Sequence, residues 1–383
     1  MKYFLYILFS IFLFTNVKAQ DFISVPSYVN MSKHNKKMIV KSLDSLYQQI
    51  IIEEEIDSSF IEESNRKLTI ISLKKIQHYE LKEDSIKKES YKRQLINIFP
   101  ITKNTYSISI ICTIKKENNL PIVLYLTDLI AKIKNNKVTF SIPLEYLTRY
   151  WKKQKIGNIT YHYRNNLDKE KAIIFNKKNN DIANLFDIKA QQMDFYMCDN
   201  YQEILNLMGH KYSLYSNGSY LGGYGVIANT IFMNHEDFSH DIFHYYSGLV
   251  NQRKNRNWIA EEGLAYTLGN AYYTDEKGEM VTQKRLLEEL RSYLNHHKDT
   301  TLWTLFEKDY PIFDNIAENL SVRSVISSVI IDQVILTKGK KEIIELINSG
   351  GQEELTNYMR VINKLIGINK KNFNTRLNKL IQK

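Results

Sequence analysis

The sequence predicts an α+β fold: a first domain of helices and an antiparallel sheet, then a domain that begins with strands and ends with helices only. Three observations support this prediction. The 383 residues suffice for two domains of about 150 residues each behind a short N-terminal segment. Apolar residues recur at helical spacing near the N-terminus and again after His240. Between these parts, runs of β-branched and aromatic residues alternate with polar breaks, which is typical of strands and turns.

The first predicted domain, residues 20–154, begins with two amphipathic segments. One runs from 35 to about 66 and the other from 81 to 98, where Pro100 would end a helix. Strands are then predicted at 106–114, 122–133, 138–142 and 156–163. Helices followed by an antiparallel meander predict a small α+β domain. Its residues show no catalytic constellation, so we assign it no role.

The second predicted domain, residues 155–383, opens with a strand, a helix and a strand at 158–163, 168–186 and 193–197. A short helix at 202–208 and a glycine-rich stretch at 215–225 follow. The glycines permit either close contact with a ligand or a turn. The apolar run 226–233 is predicted to be a further strand. Everything after His240 is predicted to be helical, with stretches at 286–294, 322–336, 342–347 and 353–366.

Residues 1–19 have the pattern of a secretory signal peptide. Lys2 is followed by an uncharged run from 3 to 15, and Val17 and Ala19 are the small residues expected before a cleavage site. The apolar run is shorter than the roughly 20 residues of a membrane-spanning helix. We therefore predict export, with the mature protein periplasmic or extracellular and not stably inserted in a membrane. The alternative is an uncleaved anchor.

Charge and cysteine content exclude several classes of protein. The chain has 52 Lys and Arg against 42 Asp and Glu, a formal net charge of +10. Because the lysines are spread along the chain rather than clustered among aromatic residues, this charge does not predict nucleic-acid binding. Two cysteines, Cys112 and Cys198, cannot build a disulfide framework or a multi-cysteine zinc cluster. A bound metal would therefore need His and carboxylate ligands.

Two histidines and a glutamate form a candidate metal site. His240 and His244 are four residues apart, so on a helix both imidazoles lie on one face and can bind one metal ion. A third ligand is expected from the segment after Trp258, where Glu262 is followed by small residues that permit close helix packing. We favour Glu262 as this ligand and keep Glu261 as the reserve. Two histidines and one glutamate leave a fourth position for water, which is the catalytic zinc pattern.

Around these residues the chain resembles the gluzincin metallopeptidases, the thermolysin-like and aminopeptidase N-like members of peptidase clan MA. Residues 240–244 read HDIFH, similar to the HExxH helix of that family, and residues 262–265 read EGLA, similar to its glutamate helix. Seventeen residues separate His244 from Glu262, close to the spacing in aminopeptidase-like members. The resemblance covers about residues 155–383.

The resemblance implies a gluzincin-like domain with a β-rich upper lobe, an active-site helix and an all-helical C-terminal lobe. It implies Zn²⁺ as the cofactor, held by His240, His244 and Glu262, and a peptide or protein as the substrate. It also implies an edge strand that holds the substrate backbone, at 225–230, and a group that stabilises the oxyanion. Four tyrosines follow the motif, and none is favoured for that role: Tyr266, Tyr272, Tyr273 and Tyr310.

The sequence departs from the family at Asp241, where the HExxH motif has the glutamate that is the general base. Aspartate is shorter by one methylene, and a base has to come within about 3 Å of the proton that it removes. Metal binding does not depend on this residue, whereas catalysis does. Three alternatives stay open: Asp241 is the base at a reduced rate, Glu236 or Glu261 substitutes for it, or the domain is a pseudo-peptidase.

We therefore predict an exported zinc-dependent peptidase-like hydrolase that is weakly active because of Asp241. The alternative is a catalytically inactive zinc-binding pseudo-peptidase that acts as a binding or scaffold protein. The other histidines are given no part in the site. His235 does not share the face of His240 and is predicted not to be a ligand, and three more are predicted to lie on the surface: His210, His296 and His297.

Overall fold

The computed structural model describes residues 22–29, 33–52, 55–81, 91–115, 120–216, 223–271, 280–317 and 320–382. The predicted signal peptide lies outside the described residues. The fold is mixed α+β with antiparallel strand pairs, as the sequence predicts, and 49% of it is helical and 22% is strand. Within the described part of the chain, no helix is both long and apolar enough to cross a bilayer.

Helices and strands both occur up to residue 233, and the elements assigned in the described residues after it are helices. In the first half, the elements are α1 (Lys33–Ile52), α2 (Arg66–Leu81), β1 (Lys92–Thr102), β2 (Thr105–Lys115), β3 (Pro121–Lys134), β4 (Lys137–Ser141), α3 (Leu144–Leu147), β5 (Lys152–Ile156), β6 (Ile159–Tyr163) and α4 (Lys169–Leu185). In the second half, they are β7 (Met193–Met197), α5 (Tyr201–Leu207), β8 (His210–Ser213), β9 (Gly223–Ile227), β10 (Thr230–Met233), α6 (Ser239–Val250), α7 (Trp258–Leu268), α8 (Gln283–His296), α9 (Leu302–Lys308), α10 (Val322–Thr337), α11 (Lys340–Ile347), α12 (Glu354–Ile366) and α13 (Phe373–Ile381).

Contacts along the chain define two units. The first contains Met1–Arg149 and Leu205–Ser219, and the second contains Tyr150–Ile204 and Tyr220–Lys383. The domains predicted from the sequence, 20–154 and 155–383, stay a prediction. A linear pattern does not reveal a segment such as Leu205–Ser219 that leaves one unit to join the other.

The first unit consists of helices packed with a five-stranded sheet. Strands β1 to β4 pair antiparallel in sequence order, and β8 adds to β3. The strands predicted at 106–114, 122–133 and 138–142 are β2, β3 and β4. The core combines buried helix residues such as Leu43 and Leu46 with strand residues such as Ile108 and Leu129. Both cysteines of the chain are free and buried.

The helix predicted at 81–98 is wrong for its second half, because Lys92–Thr102 is strand β1. Its buried residues Leu95 and Ile98 are three apart, a spacing that imitates a helix. A bulge between Leu95 and Asn97 shifts the register against β2, which is how two residues three apart reach one face of a strand. The predicted helix 35–66 also stops early, since α1 ends at Ile52 and α2 begins only at Arg66.

The second unit opens with a mixed five-stranded sheet in the order β5-β6-β7-β10-β9. The central strands β6, β7 and β10 are parallel, and β5 and β9 pair antiparallel at the ends. The predicted strand, helix and strand at 158–163, 168–186 and 193–197 are β6, α4 and β7. Asp168 caps α4, because its Oδ1 accepts hydrogen bonds from Glu170 N and Lys171 N at 3.1 Å each.

The apolar run 226–233, predicted as one strand, is a hairpin of β9 and β10. Ala228 and Asn229 have φ values of 49° and 62°, and two consecutive residues with positive φ make the tight turn that joins antiparallel strands. The predicted edge segment 225–230 therefore contains the turn. Strand β9 itself lies at the end of the strand order, so an edge strand is present two residues earlier than predicted.

The described residues after 238 form helices and connecting loops, as predicted. Helix α10 is buried around most of its circumference, and its buried residues include Val325, Ile326, Val329 and Ile330. Such a helix needs partners on most sides, and it packs against α7, α8, α9, α11, α12 and α13. Because α7 carries Glu262, this central helix gives the candidate site a rigid support.

Candidate metal centre

The start of helix α6 is fixed by a partly buried lysine. Asp237 Oδ1 accepts a hydrogen bond at 2.9 Å from the N–H of Ser239, the first residue of the helix. Lys178 Nζ donates to Asp237 Oδ2 and Ser239 Oγ at 3.1 Å each, and to Gly269 O at 3.2 Å. A Cβ at Gly269 would lie 2.7 Å from His240 N, so a glycine is required where the end of α7 meets the start of α6.

Helix α6 presents His240 and His244 on the same face, as their spacing predicts. Their Nε2 atoms are 3.3 Å apart. Helix α7 is capped by Asn257, whose Oδ1 accepts from Ala260 N at 3.2 Å, and it brings Glu262 to both histidines. Glu262 Oε1 lies 3.0 Å from His244 Nε2, and Oε2 lies 3.6 Å from His240 Nε2. The donor atoms of these three residues all lie within 4.8 Å of one another.

Glu262 reaches the histidines because α7 and α10 approach closely at Gly263. A Cβ at this glycine would lie 2.3 Å from Ser327 Oγ and 2.6 Å from Ser327 Cβ. Ser327 is fully buried and held by hydrogen bonds with Ile259 O and Tyr358 OH at 2.8 Å each. The small residue after Glu262 is therefore a packing requirement, as the sequence suggested.

The outer nitrogen of each histidine faces an oxygen of the chain. His240 Nδ1 donates to Asn270 O at 2.9 Å, which leaves its Nε2 lone pair directed at the cluster. His244 Nδ1 lies 3.4 Å from Glu261 Oε1, long for a hydrogen bond and still an ion-pair distance. Glu261 is completely buried and forms a bidentate ion pair with Arg256, in which Arg256 Nε donates to Oε2 at 2.8 Å and Nη2 donates to Oε1.

These contacts separate the roles of the two adjacent glutamates. Glu262 is placed to bind a metal, and Glu261 is placed behind His244 with its carboxylate engaged by Arg256. Metal-ligating histidines usually donate their second N–H to a carboxylate or carbonyl, which fixes the tautomer and the ring orientation. Glu261 and Asn270 O occupy these two outer positions.

The donor set fits a zinc ion. Zinc takes imidazole nitrogen and carboxylate oxygen at about 2.0–2.2 Å in tetrahedral geometry, which puts neighbouring ligand atoms about 3.3 Å apart. The observed separations of 3.0, 3.3 and 3.6 Å lie around that value. The ligand types also favour zinc. Zinc binds imidazole nitrogen and carboxylate oxygen, whereas calcium and magnesium are usually bound by oxygen atoms alone.

The environment shifts the pKa values of the cluster in opposite directions. Burial lowers the pKa of His240 to about 4, against the opposing charge of Glu262. Burial would also lower the pKa of His244, but the carboxylates of Glu261 and Glu262 more than offset this and raise it to about 9. His240 is therefore neutral at pH 7, whereas His244 is protonated without a metal and has to lose its proton when a metal binds.

Asp241 lies in the same pocket as the three candidate ligands. The pocket has a volume of about 340 Å³ and is lined in part by Trp258, Tyr266 and Arg323. Asp241 Oδ2 is buried and has no hydrogen-bond partner among the described residues. Burial raises the pKa of Asp241 to about 7, although the neighbouring His244 lowers it.

The other carboxylate considered as a base is engaged elsewhere. Glu236 Oε1 accepts a hydrogen bond from Asp168 N at 2.8 Å, and Glu236 is not part of the pocket lining. Of the four tyrosines after the motif, Tyr266 lines the pocket, with its ring 5.7 Å from that of His240. Tyr310 does not, and residues 272–273 lie outside the described residues.

The predictions for the remaining histidines are partly wrong. His296 and His297 are exposed, as predicted, and His235 is outside the metal-binding group found among the described residues. His210 was predicted to lie on the surface, but it is 1% exposed. It belongs to strand β8, which pairs with β3, and a four-residue strand that inserts into a distant sheet leaves no periodic signal.

Sequence reasoning missed Arg256, Trp258 and Asn270 as parts of this site. Trp258 stacks on His244, with ring centroids 5.2 Å apart and 11° between the planes. Arg256 and Trp258 could have been found from the sequence, because Asn257 between them is a typical cap residue at the start of a helix. Its neighbours therefore lie beside the start of the glutamate helix. Asn270 acts through its backbone carbonyl, which no side-chain pattern can reveal.

Comparison with protein-family models and with curated proteins gives no match to this chain.

Proposed function

We propose that the second unit is a gluzincin-like zinc-dependent peptidase domain that holds Zn²⁺ through His240, His244 and Glu262. The observation that carries this proposal is the cluster of three donor atoms at tetrahedral ligand separations, beside a pocket that an extended peptide could enter. A sheet with an edge strand precedes the ligand helix, and helices follow the glutamate. This order agrees with a β-rich upper lobe and a helical lower lobe.

The side chains of the pocket supply the rest of the chemistry. Zinc, when bound, is a Lewis acid that polarises a peptide carbonyl and makes a water molecule more acidic. Asp241 Oδ2, which has no other partner among the described residues, accepts the proton of the attacking water and passes it to the leaving amine. Glu261 and Asn270 O hold the two imidazoles in place, and Trp258 shields one face of His244 from water.

One observation favours the second candidate function, an inactive zinc-binding protein that acts as a binding or scaffold module. The burial that raises the pKa of Asp241 to about 7 leaves a large fraction of this group protonated at neutral pH, and a protonated carboxyl group is no base. A divalent cation at the neighbouring ligands would favour the ionised form again. Activity therefore depends on metal occupancy, and we infer a slow peptidase.

The proposal is tested by zinc content and peptide hydrolysis on the same samples. We expect about one zinc per chain by elemental analysis of protein that lacks residues 1–19, and its loss in His240→Ala. His296→Ala is the matched control, because the exposed pair His296 and His297 could bind zinc non-specifically. Peptide libraries incubated with the loaded protein and read by mass spectrometry should show slow cleavage.

The outcomes separate the two functions. Zinc at full occupancy with no cleavage, also after Asp241→Glu, would support the binding or scaffold function. No zinc after reconstitution would refute both. Export is a separate proposal that rests on residues 1–19, and N-terminal sequencing of secreted or periplasmic material should begin at Gln20.

A further inference from the structure

Trp258 forms a half-exposed aromatic wall of the pocket. One face of its indole stacks on His244, yet 53% of the residue is exposed. It is the first residue of helix α7 and lines the pocket together with Glu262. The face of the ring that does not contact His244 is therefore available to a ligand in this pocket.

Glu354 adds a carboxylate to the same wall. It is the first residue of α12, and its backbone is fixed because Asn257 Nδ2 donates to Glu354 O at 2.8 Å. Its Oε1 accepts a long hydrogen bond of 3.4 Å from Trp258 N. Among the described residues, no Lys or Arg forms an ion pair with Glu354.

The charges of the pocket leave Glu354 uncompensated. A dication at the cluster would balance the carboxylates of Glu262 and Asp241. Elsewhere in the lining, Arg323 Nη1 lies 4.0 Å from Asp309 Oδ2, so these two charges balance each other. The chain as a whole has a formal net charge of +10, so the uncompensated negative charge of Glu354 is a local feature of this pocket. It attracts positively charged groups.

The unpartnered oxygen of Asp241 agrees with a pocket that receives a ligand. Asp241 Oδ2 is buried in the pocket without a hydrogen-bond partner among the described residues. A buried carboxylate oxygen with no partner is costly, and native structures retain such groups where a ligand or a reaction uses them.

We propose that Trp258 and Glu354 form a subsite for a positively charged group of the peptide substrate, either a lysine or arginine side chain or a free amino terminus. This inference rests on the proposed function and adds the substrate class. The cation lies over the outer face of the indole, where the ring quadrupole attracts it, and pairs with the Glu354 carboxylate. One cation can make both contacts because Trp258 and Glu354 line the same pocket.

The opposite selectivity, for an acidic group at Arg323, is disfavoured by the contacts of that residue. Arg323 Nε and Nη2 donate to Phe306 O and Glu307 O at 2.7 and 2.6 Å. With Asp309 near its third nitrogen, the guanidinium is held in a structural role. It caps the carboxyl-terminal end of helix α9.

The test is calorimetric titration of the zinc-loaded full mature chain with four tripeptide amides. Three are N-acetylated, with lysine, norleucine or glutamate at the centre, and the fourth has norleucine at the centre and a free amino terminus. Norleucine has the stem of lysine without its charge. Mass spectrometry of each sample after titration reports any cleavage, so binding and hydrolysis are read separately.

Glu354→Gln is the test variant, and Glu353→Gln is its matched control. Glu353 is the exposed neighbour at the same helix start, so it gives the same change in net charge without touching the pocket. We expect the lysine peptide or the free-amine peptide to bind about fivefold more tightly than its neutral counterpart, from the usual sizes of exposed cation–π contacts and ion pairs. Glu354→Gln should remove this preference, and Glu353→Gln should keep it.

Tighter binding of the lysine peptide would identify a basic side chain as the group that the subsite binds. Tighter binding of the free-amine peptide would identify the amino terminus. Equal binding of all four peptides, or tighter binding of the glutamate peptide, would overturn the subsite and leave the peptidase proposal standing. If no tripeptide binds while zinc is present, the proposed function fails and the subsite fails with it.

Discussion

Glu261 is the residue on which the geometry of His244 depends. Its carboxylate lies between the imidazole and Arg256, and it is fully buried. We expect Glu261→Gln to lower zinc affinity about 10- to 100-fold, the usual effect of losing an outer-shell carboxylate. Competition with a chromogenic chelator measures this directly.

The control for this substitution is Glu236→Gln in the same unit. Glu236 is also buried, but it accepts a hydrogen bond from Asp168 N and does not line the pocket. Its substitution should reduce stability and leave zinc affinity unchanged. Equal loss of zinc affinity in both variants would show that Glu261 acts only through folding.

Asp241 decides between slow catalysis and none. Asp241→Asn keeps the shape of the side chain and removes the base, so zinc should stay bound and cleavage should fall by about 100-fold or more. Asp241→Glu moves the carboxylate forward by about one bond length, and we expect about tenfold faster cleavage where that distance limits the rate. Hydrolysis rates at equal zinc content check both changes, and unchanged cleavage in Asp241→Asn would exclude this residue as the base.

At the scale of helices, the site depends on the close packing of α7 against α10. Gly263→Ala would place a methyl group 2.3 Å from Ser327 Oγ, and Ser327 cannot retreat because both of its partners are buried. We expect a loss of about 1–3 kcal/mol in the free energy of unfolding, as for other overpacked cores, together with weaker zinc binding. Denaturant unfolding with and without zinc measures both effects.

Gly248→Ala in α6 is the matched control for Gly263→Ala. Its new methyl group would have Arg256 Nη1 as its nearest neighbour, at an ordinary contact distance of 3.5 Å. Because alanine favours helices by about 1 kcal/mol over glycine, this variant should be as stable as the wild type or more so. A similar loss in both variants would contradict the packing argument.

Sequence patterns predicted the elements whose information is local. Asp168 before an amphipathic run identified the start of α4, and His240, His244 and Glu262 lie together as their spacing and the small residues after Glu262 indicated. Features that depend on distant partners were not predicted. The bulge near Leu95 depends on pairing with β2, and the ion pair of Glu261 with Arg256 depends on the path of the loop between α6 and α7.

At the scale of the whole molecule, each unit has a hydrophobic core of its own. The core of the first unit draws on residues from Ile23 to Phe140, and that of the second on residues from Ile159 to Ile381. All residues of the candidate centre belong to the second unit. Zinc should therefore stabilise the second unit by mass action, by about 2.7 kcal/mol at 100 times the Kd.

The first unit in turn depends on the segment Leu205–Ser219, which contains strand β8. His210 fixes this strand, because its Nε2 lies 3.0 Å from Ser72 Oγ, and that hydroxyl donates to Met208 O at 2.6 Å. The Nε2–H must therefore be the donor to Ser72. The other nitrogen, Nδ1, is buried without a hydrogen-bond partner among the described residues.

This arrangement predicts that acid destabilises the first unit. Burial lowers the pKa of His210 from 6.5 to about 3, with a smaller effect of Lys75 in the same direction. Between these two values the unfolded chain binds a proton that the folded chain does not, so stability falls as the pH drops below about 6.5, by up to about 1.4 kcal/mol per pH unit. Urea unfolding between pH 4 and 7, followed by hydrogen exchange of β3 and β8 peptides, measures this slope.

His210→Gln removes the titrating group while its amide can still donate to Ser72 Oγ. Its slope of stability against pH should be shallower than that of the wild type over this range, whereas His34→Gln, at an exposed position of α1, should leave the slope unchanged. Identical slopes in wild type and His210→Gln would mean that the strand opens before the proton binds. The attachment of Leu205–Ser219 would then be weaker than that of the four sequential strands, and acid would release β8 without unfolding the rest of the sheet.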